Sequence, residues 1–115
     1  MSFASQHLNS DTILELRAVM GDEFANLLRT FATDSVMRIE HIERAAAQAD
    51  ADALRRAAHS FKGSSGNMGA LKLSELCKRI EEFARDGEVA QCAPLIVELR
   101  DEFVHIQREL DVLLA

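Results

Sequence analysis

The stretch Ala57-Ala58-His59-Ser60-Phe61-Lys62-Gly63-Ser64-Ser65-Gly66-Asn67-Met68-Gly69 decides how this chain is read. Apolar or small residues recur at Leu54, Ala58, Phe61, Ser65 and Met68, a three-to-four spacing that predicts one buried helix stripe. At about 100° per residue those five positions fall within about 40° of Leu54. On the same wheel His59 lies near about 140°, Gly63 near about 180° and Lys62 near about 80°. His59 is therefore expected to face outward, with Arg55 and Gly63 at i±4 and Arg56 and Lys62 at i±3. Glycine costs roughly 1 kcal/mol relative to alanine inside a helix. Gly69 is explained as a terminator, but Gly63 and Gly66 lie within the periodic pattern. Their place on the His59 side predicts close approach of something from outside.

The rest of the chain forms four more helices around this one. The first is expected over about Asp11 to Met20, with Ser10 or Asp11 as N-cap and Gly21 as its stop. The second runs from about Asp22 to Gln48, with Phe24, Leu28, Phe31, Ser35, Ile39, Ile42 and Ala46 as its apolar stripe. The third starts after Asp50 as N-cap and ends near Gly69. The fourth covers about Ala70 to Arg85, with Leu73, Leu76, Cys77, Ile80, Phe83 and Ala84 inward and Asp86-Gly87 as a turn. The fifth runs from about Glu88 to Leu114, and Cys92, Ile96, Leu99, Phe103, Ile106, Leu110 and Leu113 trace a bundle seam. Pro94 falls in its first turns, where a missing N–H costs least. Four long amphipathic helices and short turns predict an all-α, antiparallel four-helix bundle, with the short first helix covering one end. A single domain over residues 1–115 is expected for a chain of 115 residues that is 48% hydrophobic.

Composition narrows the function classes. A net charge of −6 argues against nucleic-acid binding. No apolar run reaches the roughly 20 residues of a membrane span, and the start of the chain lacks a signal-peptide pattern, so a cytoplasmic location is expected. Cys77 and Cys92 lie on apolar stripes and read as reduced core thiols. Charge is unevenly spread: Leu54 to Arg79 holds Arg55, Arg56, Lys62, Lys72, Lys78 and Arg79 against Glu75 alone. Such a local excess of cations in an acidic protein suits an anion or an acidic partner.

These features together suit a transient phosphoryl group. Imidazole is a nucleophile that is partly unprotonated near neutral pH. Phosphoryl transfer needs positioning and charge compensation more than covalent help. Lys62 is placed to supply a mobile cation, with Arg55, Arg56, Lys78 and Arg85 as further sources. The chain has no phosphate-loop or dinucleotide glycine motif, so the phosphoryl group is expected to come from one protein and leave to another.

The stretch from His59 to Gly69 resembles the signature of the histidine-containing phosphotransfer domain of multistep two-component relays, through His59, Phe61, Lys62, Gly63, Ser64, Ser65, Asn67, Met68 and Gly69. Leu71, Leu73, Leu76 and Ile80-Glu81-Glu82-Phe83-Ala84 look like the helix that follows it in that family. The resemblance implies a free-standing carrier that takes a phosphoryl group on His59 from the receiver-domain aspartate of a hybrid sensor kinase. It would pass the group to, or take it back from, the receiver aspartate of a response regulator. It further implies that Lys62 compensates phosphoryl charge and that Gly63 leaves room for the partner. Arg55, Arg56, Ser60, Gly66, Lys78, Glu81 and Arg85 make up the rest of the expected binding surface. Some members orient the imidazole with a glutamine from the neighbouring helix. The candidate here is Glu81, a departure, whose carboxylate would accept from the ring N–H. No cofactor is expected on this chain, no kinase activity of its own and no oligomer; Mg²⁺ is expected on the partner receiver.

Two other readings compete. One is a non-catalytic scaffold that binds receiver domains. The other is a carboxylate-bridged di-metal bundle, for which one Glu-x-x-His occurs, Glu102 to His105, with no second copy. His7, His41 and His105 are expected to be solvated.

Overall fold

The computed structural model describes residues 7–115. Helix α1 spans Ser10–Met20, α2 Phe24–Ala47, α3 Ala51–Asn67, α4 Leu71–Arg85 and α5 Ala93–Leu114. No strand occurs among the described residues. Turns of three residues at 48–50 and 68–70 reverse the chain, so α2, α3 and α4 alternate in direction. Three helix ends share one device. Asp50 donates to Ala45, Ala70 to Ser65 and Glu88 to Phe83, each a backbone bond spanning the last turn. The residue before each donor has a positive φ: Ala49 at 53°, Gly69 at 75° and Gly87 at 76°. Ala49 adopts this left-handed geometry with a side chain, at a cost of about 1 kcal/mol.

The predicted stripes form the core. Leu28, Ile42, Leu54, Phe61, Leu73, Ile80, Leu99, Ile106 and Leu110 are all sequestered from solvent. Helix α2 packs on α3 and α5, and α4 packs on α3 and α5, closing the four-helix ring. Across the α2–α5 seam Arg100 donates twice to Glu43, at 2.8 and 2.6 Å. The bundle is elongated, 45 × 22 × 19 Å.

Helix α1 covers the end of the bundle at the α3–α4 turn. The Asn9 N–H donates to the Gly69 carbonyl at 2.8 Å, and a Cβ on Gly69 would come within 2.9 Å of Thr12. Gly69 thus admits α1 as well as ending α3. Several boundaries differ from expectation. Asn9, not Ser10 or Asp11, caps α1, its Oδ1 accepting from the Thr12 N–H at 2.9 Å. The tie to Gly69 places the boundary one residue early. The second helix opens with a 3₁₀ turn, Gly21–Glu23, before α geometry starts at Phe24. The fifth likewise opens with a 3₁₀ turn at Val89–Cys92, and Pro94 sits in the first turn of α5, where its missing N–H has no helical partner to lose. Ala45 rather than Ala46 completes the α2 stripe. Asp50 caps α3 as expected, accepting from Ala53 at 3.1 Å.

Candidate functional site

Helix α3 buries Ala58 and Phe61 and so must turn the residues beside them outward. The His59 side chain is 65% exposed. Lys62 stands one turn further on. Glu81 reaches both from α4: its Oε2 lies 2.7 Å from His59 Nδ1 and its Oε1 2.7 Å from Lys62 Nζ. Glu81 is only 9% exposed, a buried carboxylate under an exposed imidazole and a half-buried ammonium. Burial pushes the Glu81 carboxyl up, but hydrogen bonds from Lys62 and His59, together with their charges, outweigh it and hold the group below the ordinary carboxylate range. An ionised carboxylate only accepts, so Nδ1 carries the proton, and in the neutral ring Nε2 is the nitrogen with the free lone pair. Among the described residues no hydrogen bond engages Nε2, the second nitrogen of this exposed ring.

The space above the ring follows from the glycines. A Cβ on Gly63 would meet nothing within 4 Å. Gly66 differs: a Cβ there would lie 3.5 Å from Ser74 Oγ, an ordinary contact with α4. Open approach from outside thus describes Gly63, while Gly66 sits beside the α3–α4 packing. Ser74 Oγ donates to the Lys62 carbonyl at 3.0 Å and ties α4 to α3 at the cation. Ser74 was not singled out from sequence, although it lies two turns before Glu81 on the same face of α4.

The other expected binding residues scatter around this trio. Arg55 and Arg56 both pair with Asp52, one turn before them on α3. The hydrogen bond from Arg55 and the charge of Arg56 hold the Asp52 carboxyl below its usual range. Ser60 accepts a hydrogen bond from Arg38 of α2. Lys78 and Arg85 are exposed on α4 and make no polar contact with His59, Lys62 or Glu81. Arg38, His41, Ala53, Arg56, Ala57 and Ser60 line a concave space of about 220 Å³ between α2 and α3. Arg38 and His41 come from a helix more than a dozen residues earlier, and local spacing gave no sign of them.

One expectation about the remaining histidines is corrected, while His41 and His105 are exposed as expected. His7 is held at the far end of the bundle: its Nδ1 lies 2.9 Å from Glu102 Oε2, and its ring stacks on His105 at 4.7 Å. Glu102 is 2% exposed. The sequence separation of 95 residues hid this contact. Among the described residues no cluster of three or more His, Cys, Asp or Glu is arranged to hold a metal ion. Cys77 and Cys92 are free and buried. Burial, with the Glu81 charge beside it, pushes the Cys77 thiol up to about 12, which leaves it unreactive as a thiolate.

Comparison with known proteins gives one family. The Hpt domain family model matches residues 26–109. The chain is 26% identical over 107 residues to histidine-containing phosphotransfer protein 4 of Arabidopsis thaliana, covering 88% of this chain and 84% of the relative. Its fold superimposes on the crystal structure of histidine-containing phosphotransfer protein B (HptB) from Pseudomonas aeruginosa PAO1 with a TM-score of 0.91, at 41% identity and 94% coverage of both chains. It also matches the HPT domain of a hybrid sensor histidine kinase from Shewanella, with a TM-score of 0.78, 25% identity, and coverage of 94% of this chain and 93% of that one.

Proposed function

Because the chain belongs to the Hpt domain family, whose members are phosphocarriers in phosphorelays, we propose that His59 is the phosphoacceptor and that Nε2 is the reacting atom. The observation that carries the assignment is the 2.7 Å contact between His59 Nδ1 and Glu81 beneath an otherwise open ring. The donor is the aspartyl phosphate of a receiver domain in a hybrid sensor kinase. The Nε2 lone pair attacks phosphorus in line, and the bond from phosphorus to the aspartate oxygen breaks, its electron pair staying on the carboxylate. The ring, still protonated at Nδ1, becomes cationic as it bonds phosphorus, and Glu81 faces that charge through the same hydrogen bond. Lys62 compensates the phosphoryl oxygens, moving from Glu81 toward them. Transfer to a response-regulator aspartate is the same step reversed. Gly63 leaves room for the partner's reacting group. The carrier works as a cytoplasmic monomer, binds no cofactor of its own and makes no use of ATP, while Mg²⁺ belongs to the receiver.

The test is to mix the protein with a phosphorylated receiver domain and follow the label. Label should appear on the wild type as an acid-labile, base-stable adduct and be absent from His59→Gln. ATP and Mg²⁺ alone should give none. Label on His59→Gln at the wild-type level would overturn the assignment.

A further inference from the structure

The two flanks of α3 differ in charge. On the α4 side, His59 and Lys62 meet the buried carboxylate of Glu81. On the α2 side lies the concave space of about 220 Å³, lined by the guanidinium-bearing Arg38 and Arg56 and the imidazole of His41, with no carboxylate among its lining residues. This lack of acid stands out in a chain of net charge −6. Asp52 is shared between Arg55 and Arg56, so it neutralises one guanidinium at most, and Asp34 and Glu40 lie on the far side of Arg38 and His41, in the adjoining hollow of α2. Arg38 is aimed across the space by its hydrogen bond to Ser60, a neutral acceptor that orients the guanidinium without cancelling its charge. Ser60 directly follows His59, and Arg56 lies one turn before it, so the space borders the reacting residue. Gly63 stands between the two flanks with nothing over it.

We infer that this α2–α3 space is a docking pocket for an acidic side chain, Asp or Glu, of the receiver domain that exchanges phosphate with His59. The inference rests on the function proposed above. A partner that places its aspartyl phosphate over His59 must cover Gly63 and the adjoining flank. The surface it meets there is cationic and concave, shaped for a carboxylate on a protein surface. Such a contact acts on partner choice and encounter rate, while chemistry proceeds on the other flank. Arg38 is the specificity-determining residue of the pocket, because its charge is free of any carboxylate partner there and its fork is already oriented.

The experiment compares Arg38→Glu with Arg108→Glu. Arg108 is exposed on α5 and does not line the pocket, so the second variant makes the same change in net charge elsewhere. Binding of each variant to an unphosphorylated receiver that labels the wild type is measured by calorimetry at low and physiological salt, with melting as a control for folding. Arg38→Glu should weaken binding by about ten-fold or more, with a lower salt dependence, and Arg108→Glu by less than about two-fold. Equal weakening by the two variants, or none by either, would overturn the pocket. A wild type that binds and exchanges phosphate with no receiver would instead overturn the proposed function beneath it.

Discussion

The bundle carries the trio histidine, glutamate and lysine twice, once on its side and once at its end. At the side, His59 and Lys62 each lie 2.7 Å from Glu81. At the end, His7 lies 2.9 Å and Lys72 3.9 Å from Glu102. The difference lies in what becomes of the second ring nitrogen. His59 is 65% exposed, and among the described residues nothing hydrogen-bonds its Nε2. His7 is 22% exposed, its Nε2 is 4.0 Å from Glu109, and one face of its ring is covered by His105, nearly parallel at 5°. In the function proposed above, the same chemistry serves as a nucleophile in one place and a fastener in the other. Residue types alone do not make a reactive site; the solid angle left open around one atom does.

Substitutions should separate the two trios. The largest contrast is between the histidines: His59→Gln should bring phosphoryl labelling to background, whereas His7→Gln should label normally and melt lower. Phosphotransfer assays and thermal melts on both variants decide it. Next come the carboxylates. Glu81→Ala should slow transfer by about 10- to 100-fold, because the ring is no longer held in line. Glu81→Gln should recover part of that rate by accepting again from Nδ1–H. Nitrogen-15 NMR of the imidazole should show a mixed tautomer in the alanine variant alone. Glu102→Ala should leave transfer intact and cost about 2 kcal/mol of stability, because it strips a buried partner from His7. If it slowed transfer as much as Glu81→Ala does, the two ends would not be functionally distinct.

The lysines should differ in the same sense and less strongly. Lys62→Ala should reduce the transfer rate more than receiver affinity, since it removes charge compensation. Lys72, 63% exposed and farther from its partner, should change stability by less than about 0.5 kcal/mol on replacement by alanine. The smallest effect is in acid. Glu81 is held below its ordinary 4.5, so its pairings add stability that is complete above that value and is lost as pH falls through the lowered one. Between about pH 6 and pH 3, urea denaturation of the wild type should therefore lose more stability than that of Glu81→Gln.

The α3 stripe, the outward turn of His59 and Lys62 and the order of the helices were legible in the sequence because they depend on periodicity within one helix. Glu81 entered through family resemblance, and its role as a bridge between His59 and Lys62 emerged only from the packing of α4 on α3. The His7–Glu102 clasp and the Arg38–Ser60 contact were illegible for the same reason: each joins elements distant in the chain, and no spacing rule acts across such a gap. The cap at Asn9 escaped because a tertiary bond to Gly69 outranked the local preference for Ser10 or Asp11.

The exposure of His59 also sets a time. A phosphoryl group on Nε2 of this exposed ring would stand in bulk water, with Gly63 bare beside it. Its lifetime would then be governed by the intrinsic hydrolysis of a P–N bond, trimmed only by the nearby cation. Such a protein holds a signal for as long as the chemistry allows and no longer. A relay built on it would forget its input unless an acceptor arrived within that interval, so the concentration of the next receiver, rather than any conformational change here, would decide what fraction of the signal survives.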